Sequence, residues 1–219
     1  IFSVIKKLLA YDTLSQVQLS QKISGGALDF YLHPLRDVSM EFSGQLVNAC
    51  WAGKYNNGIA EDVPNVTFHR FGYVDKTQES KIYTILGGTM IVEGYDTDGN
   101  KLLILRGFNP TVECLQKFFA QSVLFQFISN MLKIAKDLDA RVCVIVDQSH
   151  GASTNRDQIF SIYEQLKPNL TKVSVDIDRQ SIVFNNYSNT HNCMYEITEE
   201  ENQHMHDQFL ESIQKKLSL

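Results

Sequence analysis

Polar side chains that could bind or activate a substrate are concentrated in one short stretch, residues 147–155, with the sequence DQSHGASTN. Its hydrogen-bonding groups come from Asp147, Ser149, His150, Ser153 and Asn155. The stretch therefore predicts either a site for a polar ligand or a plain connection between two elements. Ser149 beside His150 would suggest a hydrolase, but the fold assembles a Ser–His pair and rarely takes it from adjacent residues. We reject that interpretation.

A metal site is the other chemistry that the residue types suggest. His191 and Cys193 precede His204 and His206 in the sequence. Histidine and cysteine side chains both bind transition metals. His204 and His206 are two positions apart on a predicted helix, so they point to different sides and cannot easily chelate one ion. No metal site is predicted.

The elements that must hold the polar stretch are a buried strand before it and a helix after it. Residues 141–147 form a continuous apolar run, which is typical of a strand buried on both faces. We expect residues 81–95 and 101–107 to be strands of the same mixed sheet, with a Gly pair in the first that suggests a bulge. A long helix, 112–138, is expected to cross from the second strand to 141–147. The loop at 147–155 then lies at the carboxyl end of a strand, a common place for ligands.

The two ends of the chain are predicted to be mainly helical. Residues 1–60 read as a helical N-terminal region, interrupted by an extended segment before Pro34. A C-terminal helix starts with a capping box, Thr198 and Glu201. Its predicted buried stripe consists of Met205, Phe209, Ile213 and Leu217. The fold class is therefore α/β, with a mixed central sheet flanked by helices, as one domain over 1–219 with its core at 61–219.

Composition limits the expected partners. The formal net charge is -5, with 20 Lys and Arg against 25 Asp and Glu. A nucleic-acid surface would need a basic stripe, so no nucleic-acid partner is expected. No apolar run approaches the roughly 20 residues that span a bilayer, so no membrane partner is expected either.

Cysteine usage and the first residue bear on location. Four cysteines without a close pair indicate reduced thiols, which predicts a cytoplasmic protein. The chain begins with Ile1 rather than Met, so we expect it to be a trimmed or processed piece of a longer chain.

Two motifs in the expected order of elements are similar to those of a known family. Over residues 66–190 the order is three strands, helix, strand, helix and two strands. LLILRGFNP, residues 102–110, resembles the fourth strand of the GNAT-type (GCN5-related) N-acyltransferases, which ends in a proline-containing bulge. Residues 144–166 resemble that family's fifth strand and following helix, with YEQL at 163–166. Lys-Pro stands where the family has Gly-Phe, and Asn155 lies one position further from the tyrosine than is usual.

The resemblance implies an acyltransferase-like fold and a reaction. An acyl group would pass from acyl-coenzyme A, as a co-substrate and not a permanently bound cofactor, to an amine. Tyr163 would protonate the leaving thiolate, unless it is simply a tyrosine packed on the sheet. Glu93 could act as general base through a water, although a solvent-exposed carboxylate is the plainer interpretation.

The expected cofactor-binding residues lie at the ends of the two strands. They are Arg106, Gly107, Phe108, Asn109 and Asn155. Arg106 could pair with a phosphate or a carboxylate, or form a structural ion pair.

The phosphate loop is where the sequence departs from the family. The family has Q/R-x-x-G-x-G/A, because small residues let backbone N–H groups close around the pyrophosphate. Here no Gly lies between Gly107 and Gly151, and Phe118 and Phe119 stand where small residues are wanted. The alternative function is therefore a catalytically inactive domain of this shape that binds a protein partner or another small ligand.

Overall fold

The protein is described here from a computed structural model. It describes residues 16–23, 26–35, 43–49, 66–77, 79, 83–146, 154–176 and 194–218. The loop residues 147–153 and the predicted strand around 181–187 lie outside the described residues, as do His191, Cys193 and Cys50.

Among the described residues, seven strands form one mixed sheet in the order β1-β2-β3-β4-β5-β7-β6. The strands are β1 (Leu28–Pro34), β2 (Val66–Asp75), β3 (Tyr83–Tyr95), β4 (Lys101–Pro110), β5 (Ala140–Ile145), β6 (Thr171–Lys172) and β7 (Met194–Glu196). Within the described sheet β4 and β5 are parallel, and the other neighbouring pairs are antiparallel. This confirms the mixed central sheet and the placement of the three expected strands in it.

The helices cover the sheet and the C-terminal end of the chain. Residues 16–23 are helical and are labelled α1. The others are α2 (Ser43–Leu46), α3 (Val112–Lys117), α4 (Ala120–Asp137), α5 (Asp157–Leu166) and α6 (Glu199–Leu217). α4 packs against β1 and β5 on one side and against α6 on the other. A mixed sheet flanked by helices, with a helical C-terminal part, is therefore the architecture of the described chain.

Side-chain alternation divides the core between the two faces of the sheet. On one face Phe71, Phe108 and Phe127 stack, with ring centroids 4.7 Å apart for the first pair and 4.4 Å apart for Phe108 and Phe127. On the other face Met90 and Ile104 belong to a second buried cluster. Nearly all of β4 is buried, as its long apolar run predicts for a strand covered on both faces.

Three local expectations differ from the structure. The expected helix over 112–138 is two helices, α3 and α4, because Phe118 and Phe119 have extended backbone between them. β7 was not expected. Leu217 is exposed, although Met205, Phe209 and Ile213 are buried as the stripe predicts. Near its end α6 extends past its packing surface, and sequence periodicity does not show where that surface stops.

Other local expectations are confirmed. β1 is extended up to Pro34 and pairs with β2, so part of the expected helical N-terminal region belongs to the sheet. Thr198 and Glu201 form the capping box of α6. Gly99 follows Asp98 in the turn between β3 and β4 and has a φ of 87°, the positive φ that Asp-Gly supplies in hairpin turns.

Candidate functional site

The parallel pair β4–β5 ends before β4 does. The last paired residues are Leu105 and Val144, whereas β4 continues to Pro110 beside β3. Past that point one side of β4 has no strand partner among the described residues. Past Leu105 and Val144 the two strands are no longer paired, and we call the region between their carboxyl ends the gap.

A bulge lies in β4 at the start of this gap. Gly88 pairs with Asn109 and Met90 with Arg106, so Gly107 and Phe108 together oppose Thr89 alone. Gly107 has a φ of 75°, the left-handed conformation that this type of bulge requires of its first residue. The bulge turns the backbone of β4 just where the gap opens.

Four residues tie the gap's two sides together, and we call them the Asn109 cluster: Asn109, Thr154, Asn155 and Arg156. The Asn109 side-chain oxygen accepts hydrogen bonds from the Thr154 hydroxyl at 3.2 Å and from the Asn155 backbone N–H at 2.9 Å. Arg156 donates from Nε to the Pro110 carbonyl at 2.7 Å. Asn109 is 2% exposed, so these bonds are shielded from water. The cluster fixes the start of α5 against the end of β4.

The Asn109 cluster also bonds to the two residues that follow α2. The Asn155 side-chain amide donates to the Asn48 carbonyl at 2.7 Å, and Arg156 donates to the Val47 carbonyl. The structure therefore brings two of the predicted residues, Asn109 and Asn155, into one hydrogen-bonded network. Arg156 was not among the predicted site residues, although it directly follows the predicted Asn155 in the sequence.

Tyr163 lies on α5, six residues or about 9 Å along the helix axis from its first residue, Asp157. Its side chain is fully buried in the same apolar cluster as Phe108 and Val144. Its hydroxyl has no hydrogen-bond partner among the described residues. Burial raises the pKa of Tyr163, so the phenol is protonated at neutral pH.

The remaining predicted residues are spread along the sheet. Glu93 is five residues from Gly88 along β3, about 17 Å at the usual strand rise. Its carboxylate pairs with Lys101 Nζ at 2.9 Å and is half-exposed. The structure does not bring Glu93 to the gap, and this placement matches the plainer interpretation of a carboxylate in solvent.

Arg106 and Phe108 are buried in the sheet. Arg106 is 2% exposed and pairs with Met90, whose side chain belongs to the second buried cluster. Phe108 is stacked in the core, so it offers a ligand its backbone and not its ring. The assignment of Arg106, Gly107 and Phe108 to cofactor binding stays a prediction.

A groove of about 400 Å³ lies beside the start of α4. We call it the amide groove, because four of its lining residues are glutamines: Gln16, Gln121, Gln158 and Gln165. Ser161, Ile162, Leu115, Phe118, Phe119 and Ala120 complete the lining. Gln158, Ser161 and Gln165 are spaced by three and four residues, which puts them on one face of α5. The sequence contains this spacing, but these three residues were not predicted as site residues.

The start of α4 borders the groove, and its first turn is largely buried. The Phe119 N–H donates to the Ser20 hydroxyl at 3.2 Å, and Ala120 and Ser122 are 9% and 2% exposed. The first N–H groups of an α-helix have no partner within the helix. Phe119 stands at the N-cap and makes no side-chain hydrogen bond that would cap them. Ala120 and Ser122, both small, occupy the first turn.

Comparisons with known proteins give no family. No family model matches the sequence, and no curated protein is similar to it. Among solved structures, one described as the crystal structure of a KacTA–DNA complex matches at 6% sequence identity. The match covers 82% of this chain and 99% of the other, with a TM-score of 0.42.

That structural match corrects one expectation. Net acidity led us to expect no nucleic-acid partner, yet the matching chain comes from a complex with DNA. The exclusion is withdrawn, because an acidic total does not describe how charge is distributed over a surface. A TM-score of 0.42 supports no statement that this chain binds DNA. In the part of the chain that the structure describes, no helix is long and apolar enough to cross a membrane.

Proposed function

We propose that this chain is an acyltransferase-like protein that transfers an acyl group from acyl-coenzyme A to an amine. The observation that carries the proposal is the gap between β4 and β5. Their parallel pairing stops at Leu105 and Val144, while β4 continues through the Gly107 bulge to the buried Asn109. A gap whose floor is strand backbone suits a thioester donor, which can be held by main-chain groups.

The start of α4 supports the donor part of the proposal. Because α4 begins at Ala120 and not near residue 112, the family's loop pattern is better matched to residues 117–122, which read K-F-F-A-Q-S. Ala120 and Ser122 then occupy the two positions where the family has small residues. The Phe119 N–H donates to the Ser20 hydroxyl, and the other N–H groups of the first turn, with the helix dipole, favour a pyrophosphate there.

Tyr163 supports the chemical part. In the proposed reaction the neutral amine attacks the thioester carbonyl, the carbon–sulfur bond breaks, and the thiolate takes the phenolic proton of Tyr163. The proton that the amine nitrogen loses on forming the amide then restores the phenol. A buried hydroxyl without a partner needs an explanation, and a catalytic role is one; among the described residues the Thr89 hydroxyl is in the same situation. Burial raises the pKa of Tyr163, so the phenol carries its proton at neutral pH but is a weaker acid than a tyrosine in water. The proposal assigns no step to Glu93, because that carboxylate pairs with Lys101 away from the gap.

Thermal denaturation with coenzyme A tests the donor site. A ligand at a hundred times its Kd stabilises a protein by about 2.7 kcal/mol. Gln121→Glu places a carboxylate in the first turn of α4, which is favourable for the helix but repels a pyrophosphate. We expect Gln121→Glu to keep its own Tm and to lose the shift with coenzyme A.

Gln121→Ala is the matched control, because it removes the amide without adding charge and should retain most of the shift. No shift of the unmodified protein at millimolar coenzyme A would refute the proposal. An unchanged shift in Gln121→Glu would place the pyrophosphate elsewhere.

The second candidate is a domain of this shape that does not catalyse and binds a protein partner or another small ligand. The aromatic residues before α4 favour it. Phe118 packs against Tyr73 and Phe119 against Phe209, with centroid distances of 5.7 and 5.1 Å. They make this segment less adaptable than a glycine loop. Release of thiol from acetyl-coenzyme A, measured with a panel of amines, separates the two functions once binding is shown.

The cytoplasmic location stays a prediction. Cys114 and Cys143 are buried free thiols, and burial raises the pKa of each to about 12. Thiols of this kind are unreactive. The state of these thiols therefore does not test the cytoplasmic location. Fractionation of cells would test it.

A further inference from the structure

The amide groove has a chemical character of its own. Its polar lining comes from glutamine side chains and Ser161, and the side chains that line it among the described residues are all neutral. At about 400 Å³ it lies in the lower part of the range for ligand pockets, roughly 300–1,000 Å³. Leu115, Phe118 and Ile162 supply apolar surface. The groove is therefore suited to a flat, uncharged, hydrogen-bonding group.

A purine base is such a group. A glutamine amide has one acceptor and a two-hydrogen donor side by side, and this pair matches the N6 and N7 edge of adenine. Gln158 and Gln165 project from the same face of α5, with Ser161 between them. Gln16 also lines the groove, and its side-chain amide donates to the Gln116 carbonyl at 3.3 Å.

On the basis of the proposed function, we infer that the groove binds the adenosine end of the donor through amide hydrogen bonds and does not recognise its 3′-phosphate. Recognition of a phosphate ester normally uses arginine or lysine. The described lining has side-chain amides and a hydroxyl instead, and these groups can hydrogen-bond to a nucleobase. Dephospho-coenzyme A thioesters are then donors equivalent to coenzyme A thioesters.

Isothermal titration with coenzyme A, dephospho-coenzyme A and 4′-phosphopantetheine tests this inference. We expect the first two ligands to bind with Kd values within about twofold of each other. Gln158→Ala and Gln165→Ala should each weaken both by about two- to tenfold, the value of one hydrogen bond. They should leave the Kd of 4′-phosphopantetheine unchanged, because it has no adenosine. Gln203→Ala, on α6 and outside the groove, is the matched control.

The outcomes separate this inference from the proposed function. Coenzyme A binding at least tenfold tighter than dephospho-coenzyme A would overturn the inference and leave the proposed function standing. Equal binding that Gln158→Ala and Gln165→Ala do not weaken would overturn the assignment of the groove. Binding of none of the three ligands would refute the proposed function, and the inference with it.

Discussion

At the scale of single residues, Tyr163 is the side chain whose surroundings most need an explanation. Its hydroxyl is enclosed by an apolar cluster and makes no hydrogen bond to a described residue. A buried polar group without a partner costs about 1–3 kcal/mol. The proposed catalytic role of Tyr163 would account for this cost.

Tyr163→Phe separates the catalytic from the structural role. The change removes the unpaired hydroxyl and keeps the ring, so we expect an equal or slightly higher Tm. If the hydroxyl is the acid, the transferase rate falls by about 10²-fold. Melting temperature and turnover are measured on the same preparation. Tyr195→Phe, which removes a partly exposed hydroxyl on β7, is the control.

Either measurement can decide against the assignment. Unchanged turnover in Tyr163→Phe would remove Tyr163 from catalysis. A marked loss of stability would show instead that the hydroxyl has a structural partner.

At the scale of elements, the bulge in β4 is the feature that shapes the gap. Two residues, Gly107 and Phe108, oppose Thr89, and Gly107 has the left-handed conformation that lets the strand turn. The Asn109 cluster then ties the strand end to the start of α5. Gly107 thus sets the backbone conformation on one side of the gap, and the hydrogen bonds of the Asn109 cluster join its two sides.

Gly107→Ala tests whether this backbone belongs to the donor site. A side chain in the left-handed region costs about 1–2 kcal/mol, so the free energy of unfolding should fall by that amount. Gly99→Ala is matched, because Gly99 also has a positive φ, 87° against 75°, but lies in the β3–β4 turn. Chemical denaturation should show similar losses for the two variants, and titration should show weaker coenzyme A binding for Gly107→Ala alone. Equal Kd values of Gly107→Ala and Gly99→Ala for coenzyme A would exclude Gly107 from the donor site.

At the scale of the whole molecule, one charge network joins distant parts of the chain. Arg141 on β5 pairs with Asp96 in the β3–β4 turn, with 2.7 Å between Nη1 and Oδ2, and with Glu196 on β7. Asp96 is buried and also accepts hydrogen bonds from Asn100 and from the Asp98 backbone. The network fastens the turn and β7 to the parallel pair.

The stability of the protein should therefore depend on acid pH. Burial by itself would raise the pKa of Asp96, but the hydrogen bonds from Asn100 and Asp98 and the charge of Arg141 outweigh it and hold that pKa below its usual value. A carboxyl whose folded pKa is depressed stabilises the fold above its unfolded pKa, about 3.9, and loses that contribution as the pH falls through the folded value. Unfolding free energy should thus decrease below about pH 4.

Asp96→Asn should lower the free energy of unfolding by roughly 2 kcal/mol at pH 7, because a charge-assisted hydrogen bond is lost. It should also flatten the acid dependence. Asp98 is an exposed carboxylate in the same turn, so Asp98→Asn should change neither the free energy of unfolding nor its acid dependence. Urea denaturation from pH 3 to pH 7 measures both effects, and an acid dependence that survives Asp96→Asn would assign it to other carboxyls.

The sequence by itself determined the strands that are buried on both faces and the turns that join them. β4 and β5 were predictable because their apolar runs are continuous, and the turn at Gly99 because Asp-Gly favours positive φ. These features depend on neighbouring residues, and local sequence reports them. The same order of elements puts Asn109 at the end of β4 and Asn155 just before α5, as the structure has them.

Only the tertiary structure decided where α4 starts, that Arg156 bonds to Pro110, and that β7 joins the sheet beside β5. Each depends on contacts between residues far apart in the chain, which periodicity does not encode. Phe118 and Phe119 are packed by Tyr73 and Phe209, and this packing, not helix propensity, interrupts the predicted helix and sets Ala120 at its start. The burial of the Tyr163 hydroxyl has the same origin, because the side chains that enclose it come from separate elements of the core.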